Sequence, residues 1–168
     1  ALQDIRVRKA IAMGIDKAGF TKVLLRGNGT PAAGAFPASF TFGDNAVQAL
    51  PYEPEGAKKL LAEAGWKDSD GDGFVDKEGQ KLTLRWLTYP GRQELPLLAE
   101  SVQATLKAIG IEVKVNSTAN YRDFLKKGDW DLYASALVTA PTGDPAYFFT
   151  ATTLASSVNN RGRYHSAA

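Results

Sequence analysis

Asp68, Asp70 and Asp72 recur at every second position and are followed by Gly73. This is the pattern of the first half of a calcium loop. Oxygens at its first, third and fifth positions converge on one hard cation, and the glycine permits the sharp turn. Phe74 then offers its carbonyl at the seventh position and Asp76 its carboxylate at the ninth. The twelfth position, where a bidentate Glu closes the cage, is Gly79; Glu78 falls one residue early, and β-like sequence follows in place of a second helix. Two readings stay open. Asp68, Asp70, Asp72, Phe74 and Asp76 hold a structural calcium ion, or they form a solvated acidic turn leading into a hairpin with Lys77-Glu78-Gly79-Gln80 at its tip. A regulatory calcium switch has no second helix to move.

Other residues that could do chemistry are few. His165 is the one histidine, close to the C-terminus, and cysteine is absent. Nucleophile–base pairs of the serine or cysteine hydrolase kind therefore have nothing to build on. The acids in distinctive contexts are Asp129 and Asp131, which flank Trp130, and Asp144, which precedes Pro145 and reads as a helix start. Gly27-Asn28-Gly29 lacks the remaining glycines of a phosphate loop and any preceding strand. A net charge of +2, with no basic cluster, gives no footprint for nucleic acid. No apolar run approaches the ~18 residues of a membrane span. The residues point away from an enzyme.

The elements that must position these groups can be read from periodicity and punctuation. The chain has 168 residues, 44% hydrophobic and 23% charged, which suits a globular domain with a real core. Two helices are expected over residues 4–26. Asp4 caps the first, with Val7, Ala10, Ile11 and Gly14 along one side; Asp16 caps the second, and Gly27 stops it. Between Gly27 and Pro51 the loop carries Phe36, Phe40 and Phe42, so it is expected to be ordered and packed. Pro54 opens a helix with Ala57, Leu60, Leu61 and Ala64 inward, Gly65 as its stop and Glu55–Lys59 as a surface pair. Gly56 in that helix costs up to about 1 kcal/mol against Ala.

Three strands then alternate with two helices. Leu82, Leu84 and Trp86 alternate with Thr83 and Arg85, and a helix over 94–109 ends at Gly110. Ile111, Val113 and Val115 alternate with Glu112 and Lys114. Asn120 caps a short helix with Tyr121, Phe124 and Leu125 inward, and residues 130–137 form the third strand. This predicts an α/β (α+β) fold with a largely parallel β-α-β-α-β sheet. The charges on alternate strand positions place the helices mainly on one face.

In this order and spacing, the motifs resemble one known family. Asp4-Ile5-Arg6-Val7-Arg8-Lys9-Ala10-Ile11 with Gly14-Ile15-Asp16-Lys17, then Thr30-Pro31 and Phe36-Pro37, open the match. Tyr52-Glu53-Pro54-Glu55 with Ala57-Lys58-Lys59-Leu60-Leu61-Ala62-Glu63-Ala64-Gly65-Trp66 is its most recognisable part. Gly71-Asp72-Gly73, Leu82-Thr83-Leu84, Gln103 to Val113, Gly128-Asp129-Trp130-Asp131-Leu132 and Asp144-Pro145 complete it. The chain resembles the peptide/nickel class of extracytoplasmic solute-binding proteins (family 5), the receptors of ABC importers. It departs from the family pattern at Glu53, where Asp or Asn is usual, and at Gly56.

The resemblance implies a periplasmic-binding-protein-like lobe over 1–168, the second of two lobes that close on a ligand. The first lobe and the C-terminal return to the hinge are expected to lie outside this sequence. It implies a small-molecule or peptide ligand (an oligopeptide, a nickel chelate or another solute) and an ABC permease as membrane partner, with no nucleic acid. The setting is periplasmic or extracellular, with a lipoprotein anchor as one form of the parent. No cofactor is required, and structural calcium at the acidic loop stays open. Ligand contacts are expected from Thr139, Ala140, Pro141, Thr142 and Asp144, just past the third strand, and from Asn159 and Asn160. The family often has an aromatic in that segment, where this chain has Thr139 and no Trp. A calcium-stabilised interaction module is the alternative from another class, and an α/β enzyme the third.

Overall fold

Asp4 sits in extended backbone and accepts a hydrogen bond from the Arg6 amide, starting α1 (Ile5–Met13) as the sequence suggests. The computed structural model describes residues 1–43 and 47–165. They form two units: Ala1–Pro31 with Leu50–Ser135, and Ala32–Ala49 with Ala136–Ala168.

In the first unit, Asp16 caps α2 (Lys17–Gly19) through the Gly19 amide at 2.7 Å. The expected second helix does not continue as α-helix; it widens into a π-helical segment, Phe20–Leu24. The Thr21 hydroxyl bonds back to the Lys17 and Ala18 carbonyls and competes for the acceptors that an α-turn would use. The stop comes at Arg26 and Gly27, both at positive φ.

Helix α3 (Pro54–Glu63) begins with Pro in its first turn. It ends in a Schellman arrangement: Gly65 donates to Ala62 O and Trp66 to Leu61 O, with Gly65 at φ 87°. The surface pair is Glu55–Lys58 at 2.9 Å, one residue short of the expected Glu55–Lys59. Gly56 has a packing reason, because a Cβ there would lie 2.8 Å from Met13 Cε.

Strands β1 (Asp76–Lys77) and β2 (Gln80–Lys81) form the expected hairpin, with Glu78 and Gly79 at positive φ in its turn. Beyond it, β3 (Thr83–Thr88), β4 (Glu112–Ser117) and β5 (Leu132–Tyr133) make a parallel sheet in the order β4-β3-β5. Helix α4 (Glu94–Lys107) joins β3 to β4, and α5 (Tyr121–Lys127) joins β4 to β5. One core unites Val7, Ala10, Ala57 and Leu61 with Leu82, Leu84, Trp86, Leu106, Ile109 and Val113. Helices α1, α3 and α4 thus share one core with the sheet, while α5 packs against β3.

Two local expectations are corrected. Asn120 makes no side-chain cap for α5; instead its amide donates to Thr118 Oγ1. The third strand is confined to Leu132–Tyr133 rather than 130–137, because β3 ends at Thr88 and offers no ladder partner beyond Ala134.

The second unit is built on phenylalanine. Phe36 is buried, with its ring edge-on to Phe42, Phe148 and Phe149 at centroid distances of 5.2, 5.7 and 5.9 Å, and Phe40 stacks on Phe42. The ordered loop expected from the sequence therefore packs against α6 (Ala146–Thr152).

Candidate functional site: the carboxyl edge of the parallel sheet

Open α/β sheets place ligands beyond the carboxyl ends of their strands. In the first unit that edge is aromatic. Tyr89 follows the last residue of β3, Tyr121 opens α5 just after β4, and Tyr133 ends β5. The Tyr89 and Tyr121 rings stack at 4.6 Å, and Tyr121 and Tyr133 lie nearly parallel at 6.2 Å. Trp130 meets Tyr133 at 6.1 Å, and the Arg122 guanidinium sits 5.0 Å from the Tyr121 centroid. All three tyrosines are half-buried. The sequence reading assigned Tyr121 to packing and passed over Tyr89 and Tyr133. Their shared position at the ends of successive parallel strands is the signal that could have found them.

Asp129 and Asp131, the best candidates for acid–base chemistry, are held by Arg85. Arg85 Nε and Nη2 donate to the two oxygens of Asp131, each at 2.9 Å, and Nη1 donates to Asp129 at 2.5 Å. These bonds push the Asp131 carboxyl below the usual range and raise the Arg85 guanidinium. A carboxylate so held is a poor proton acceptor near neutral pH. Asp144 accepts from the Ala146 amide at 2.8 Å and starts α6, and His165 is exposed.

Thr139, Ala140, Pro141, Thr142 and Asp144 lie in the second unit. Thr139 and Ala140 are half-buried, the others exposed. Gly143, at φ 78°, donates to Ala140 O and closes a turn. Asn159 is exposed. Asn160 braces its own turn: its amide donates to Thr153, Leu154 and Tyr164 carbonyls, and its oxygen accepts from the Tyr164 amide at 2.8 Å. No hydrogen bond joins the 139–144 segment to Asn159 or Asn160 among the described residues.

The acidic loop brings together Asp68, Asp70 and Asp72, with one oxygen of each within 4.8 Å of the others. Asp76 is not part of that group; it accepts from the Ser69 amide and hydroxyl. Within the loop, Asp68 accepts from the Gly71 and Gly73 amides and Asp72 from the Phe74 amide, while Lys81 pairs with Asp72 and lies over the Phe74 ring. Lys81 and the Phe74 amide lower the Asp72 carboxyl, and Ser69 lowers that of Asp76.

The fold and this edge can be set beside known proteins. The family model described as bacterial extracellular solute-binding proteins, family 5 middle, matches residues 1–160. The chain belongs to that family. It is 39% identical over 114 residues to the oligopeptide-binding protein AppA of Bacillus subtilis, covering 67% of this chain and 21% of AppA. Against the di/tripeptide-binding protein 2 of Pseudomonas aeruginosa it is 32% identical, covering 96% of this chain and 29% of the relative. Against the nickel-binding protein NikA of Staphylococcus aureus it is 30% identical, covering 96% and 31%.

Solved structures agree on the fold. NikA of S. aureus with Ni(L-His)2 superposes with a TM-score of 0.84 at 27% identity, covering 96% of this chain and 33% of that one. AppA with a nonapeptide gives 0.74 at 28% identity, covering 98% and 34%. The family-5 chain thus spans about a third or less of the length of these relatives.

Proposed function

We propose that this chain is one lobe, the second, of the substrate-binding component of an ABC importer. The component captures an oligopeptide or a nickel chelate outside the cytoplasm and delivers it to the membrane permease. The observation that carries this reading is the tyrosine-lined carboxyl edge of the parallel sheet, in a chain of this family. The edge offers ring faces and no activated nucleophile or base, which suits capture without turnover. The backbone groups and the Thr139 and Thr142 hydroxyls of the segment following β5 would read polar groups of the solute, with Asp144 holding the segment's far end at the start of α6. Nickel would enter as a chelate, since the chain has no cysteine and a lone His165 to offer the metal directly. The parent protein works in the periplasm or at the cell exterior, with a lipoprotein anchor as one form; it takes no nucleic acid and requires no cofactor. A structural calcium ion at Asp68, Asp70 and Asp72 would add stability to this function, not supply it.

Native mass spectrometry of the whole receptor, purified without added ligand, tests the proposal. A ladder of co-purified masses spaced like amino-acid residues identifies a peptide receptor. A single mass that disappears on chelation identifies a metal-complex receptor. A receptor that carries neither, and binds neither a nonapeptide pool nor nickel–histidine when they are added, overturns it.

A further inference from the structure

The turn Gly27-Asn28-Gly29 holds the one asparagine of the chain that is followed by glycine. The π-helical segment ends just before it. Arg26 at φ 51° and Gly27 at φ 78° turn the backbone out of the helix, and the Asn28 amide donates to Leu25 O at 2.8 Å. Residues 26–30 are all exposed. Among the described residues, neither the Asn28 side chain nor the Gly29 amide has a hydrogen-bond partner.

An asparagine so placed reacts with its own backbone. When hydroxide takes the Gly29 amide proton, the nitrogen attacks Asn28 Cγ. The N–Cγ bond forms, the Cγ–Nδ2 bond breaks, and the side-chain nitrogen leaves as ammonia with a proton from water. Water then opens the cyclic imide. Attack at Cγ gives aspartate; attack at the backbone carbonyl gives isoaspartate, with the chain running through the former side chain. The sum is asparagine plus water to a carboxylate and ammonium. Glycine favours the first step because it has no Cβ to crowd the attacking nitrogen.

The acidic loop contains two steps that could form the same imide by loss of water, Asp70-Gly71 and Asp72-Gly73, and these residues are also exposed. Here, however, the amides are held. Gly71 N donates to Asp68 Oδ1 at 2.7 Å and Gly73 N to Asp68 Oδ2 at 2.9 Å. The would-be electrophiles are engaged as well. Asp70 accepts from the Asp72 amide at 3.2 Å and Asp72 from the Phe74 amide at 2.9 Å, each one residue beyond the nitrogen that would attack. A carboxylate on an amide N–H fixes the backbone and opposes formation of the amide anion.

We propose that Asn28 is a modification site, where the chain forms aspartate and isoaspartate by itself, and that Asp68 guards the two Asp-Gly steps against the same reaction. The added carboxylate takes the formal net charge from +2 to +1. Isoaspartate also lengthens the backbone just ahead of Thr30-Pro31, where the N-terminal stretch of the first unit ends. The chemistry is independent of the solute that the receptor captures.

Peptide mapping by mass spectrometry tests this on the whole chain, aged in mildly alkaline buffer. Asn28 is expected to convert many-fold faster than Asn159, which is also exposed but is followed by Asn160. Gly29→Ala should slow the conversion several-fold and still fold, because its Cβ would meet Leu25 Cδ1 at 3.4 Å and Thr21 Cγ2 at 3.7 Å, ordinary contacts. Isoaspartate at Asp70 and Asp72 should stay at background in the folded chain and rise in urea, where Asp68 releases the amides, while Asn28 changes little between the two conditions. Asp68→Ala should raise it without urea; if that variant does not fold, the urea comparison carries the same test. Conversion of Asn28 no faster than that of Asn159, or unaffected by Gly29→Ala, overturns the modification site. Equal isoaspartate at Asp70 and Asp72 in folded and unfolded chain overturns the guarding role of Asp68.

Discussion

The proton affinity of Asp131 is set first by the hydrogen bonds from the Arg85 side chain, against a smaller opposing effect of burial. The sign of the resulting pH dependence follows. A carboxyl lowered in the folded state contributes stability that is fully present above its unfolded value, near 4, and is lost as pH falls through the folded value. Asp131→Asn is therefore expected to lower the urea midpoint at pH 7, with the gap narrower at an acidic pH below the unfolded value near 4. Parallel denaturation curves at the two pH values check this. Asp4 is lowered in the same sense, to about 2, by hydrogen bonds from the Arg6 side chain and amide. At the acidic loop, amides and the Lys81 ammonium already engage the carboxylates that a calcium ion would need. One millimolar calcium is accordingly expected to raise Tm by no more than about 1–2 °C, the shift for a site with a dissociation constant near that concentration. A larger rise in a thermal melt would favour the structural-calcium reading of Asp68, Asp70 and Asp72.

Two glycines decide how the helices meet. A Cβ on Gly14 would lie 2.7 Å from Ile109 Cδ1 and 2.8 Å from Leu106 Cδ2, both on fully buried side chains at the end of α4. Gly14→Ala is expected to cost about 1–3 kcal/mol in chemical denaturation, as overpacking does elsewhere. Gly56 looks like a defect in α3 when judged by helix propensity alone. Its Cβ position, however, is taken by Met13 Cε at 2.8 Å and Glu53 Oε2 at 3.0 Å, and Glu53 N donates to Met13 O. The glycine lets the end of α1 close on the start of α3. The Glu53 side chain folds over the same glycine.

Across the whole molecule, apolar side chains of the second unit stand in solvent: Val158 is 82% exposed, Val138 62% and Phe149 51%. So much exposed apolar surface favours association. Sedimentation of the chain should show a weight-average mass that rises with concentration; a monomer at every concentration would show that these side chains tolerate water.

Much of the scaffold was legible from one dimension. The spacing of Val7, Ala10 and Ile11, of Ala57 and Leu61, and of Leu95, Ala99, Val102 and Leu106 matches the buried stripes of α1, α3 and α4, and Leu82, Leu84 and Trp86 with Ile111 and Val113 match the expected buried face, which the exposed Val115 does not join. The Gly65 stop and the hairpin turn at Glu78-Gly79 were legible too. These features depend on residues within one or two turns of each other, so local pattern and backbone sterics are enough to specify them. The length of β5, the partners of the phenylalanine loop, the tyrosine stack and the grip of Arg85 on Asp129 and Asp131 were not. Each depends on which distant residues become neighbours, and that follows from how the helices and strands pack around the shared core. Charged and aromatic side chains choose partners among whatever that packing brings within reach.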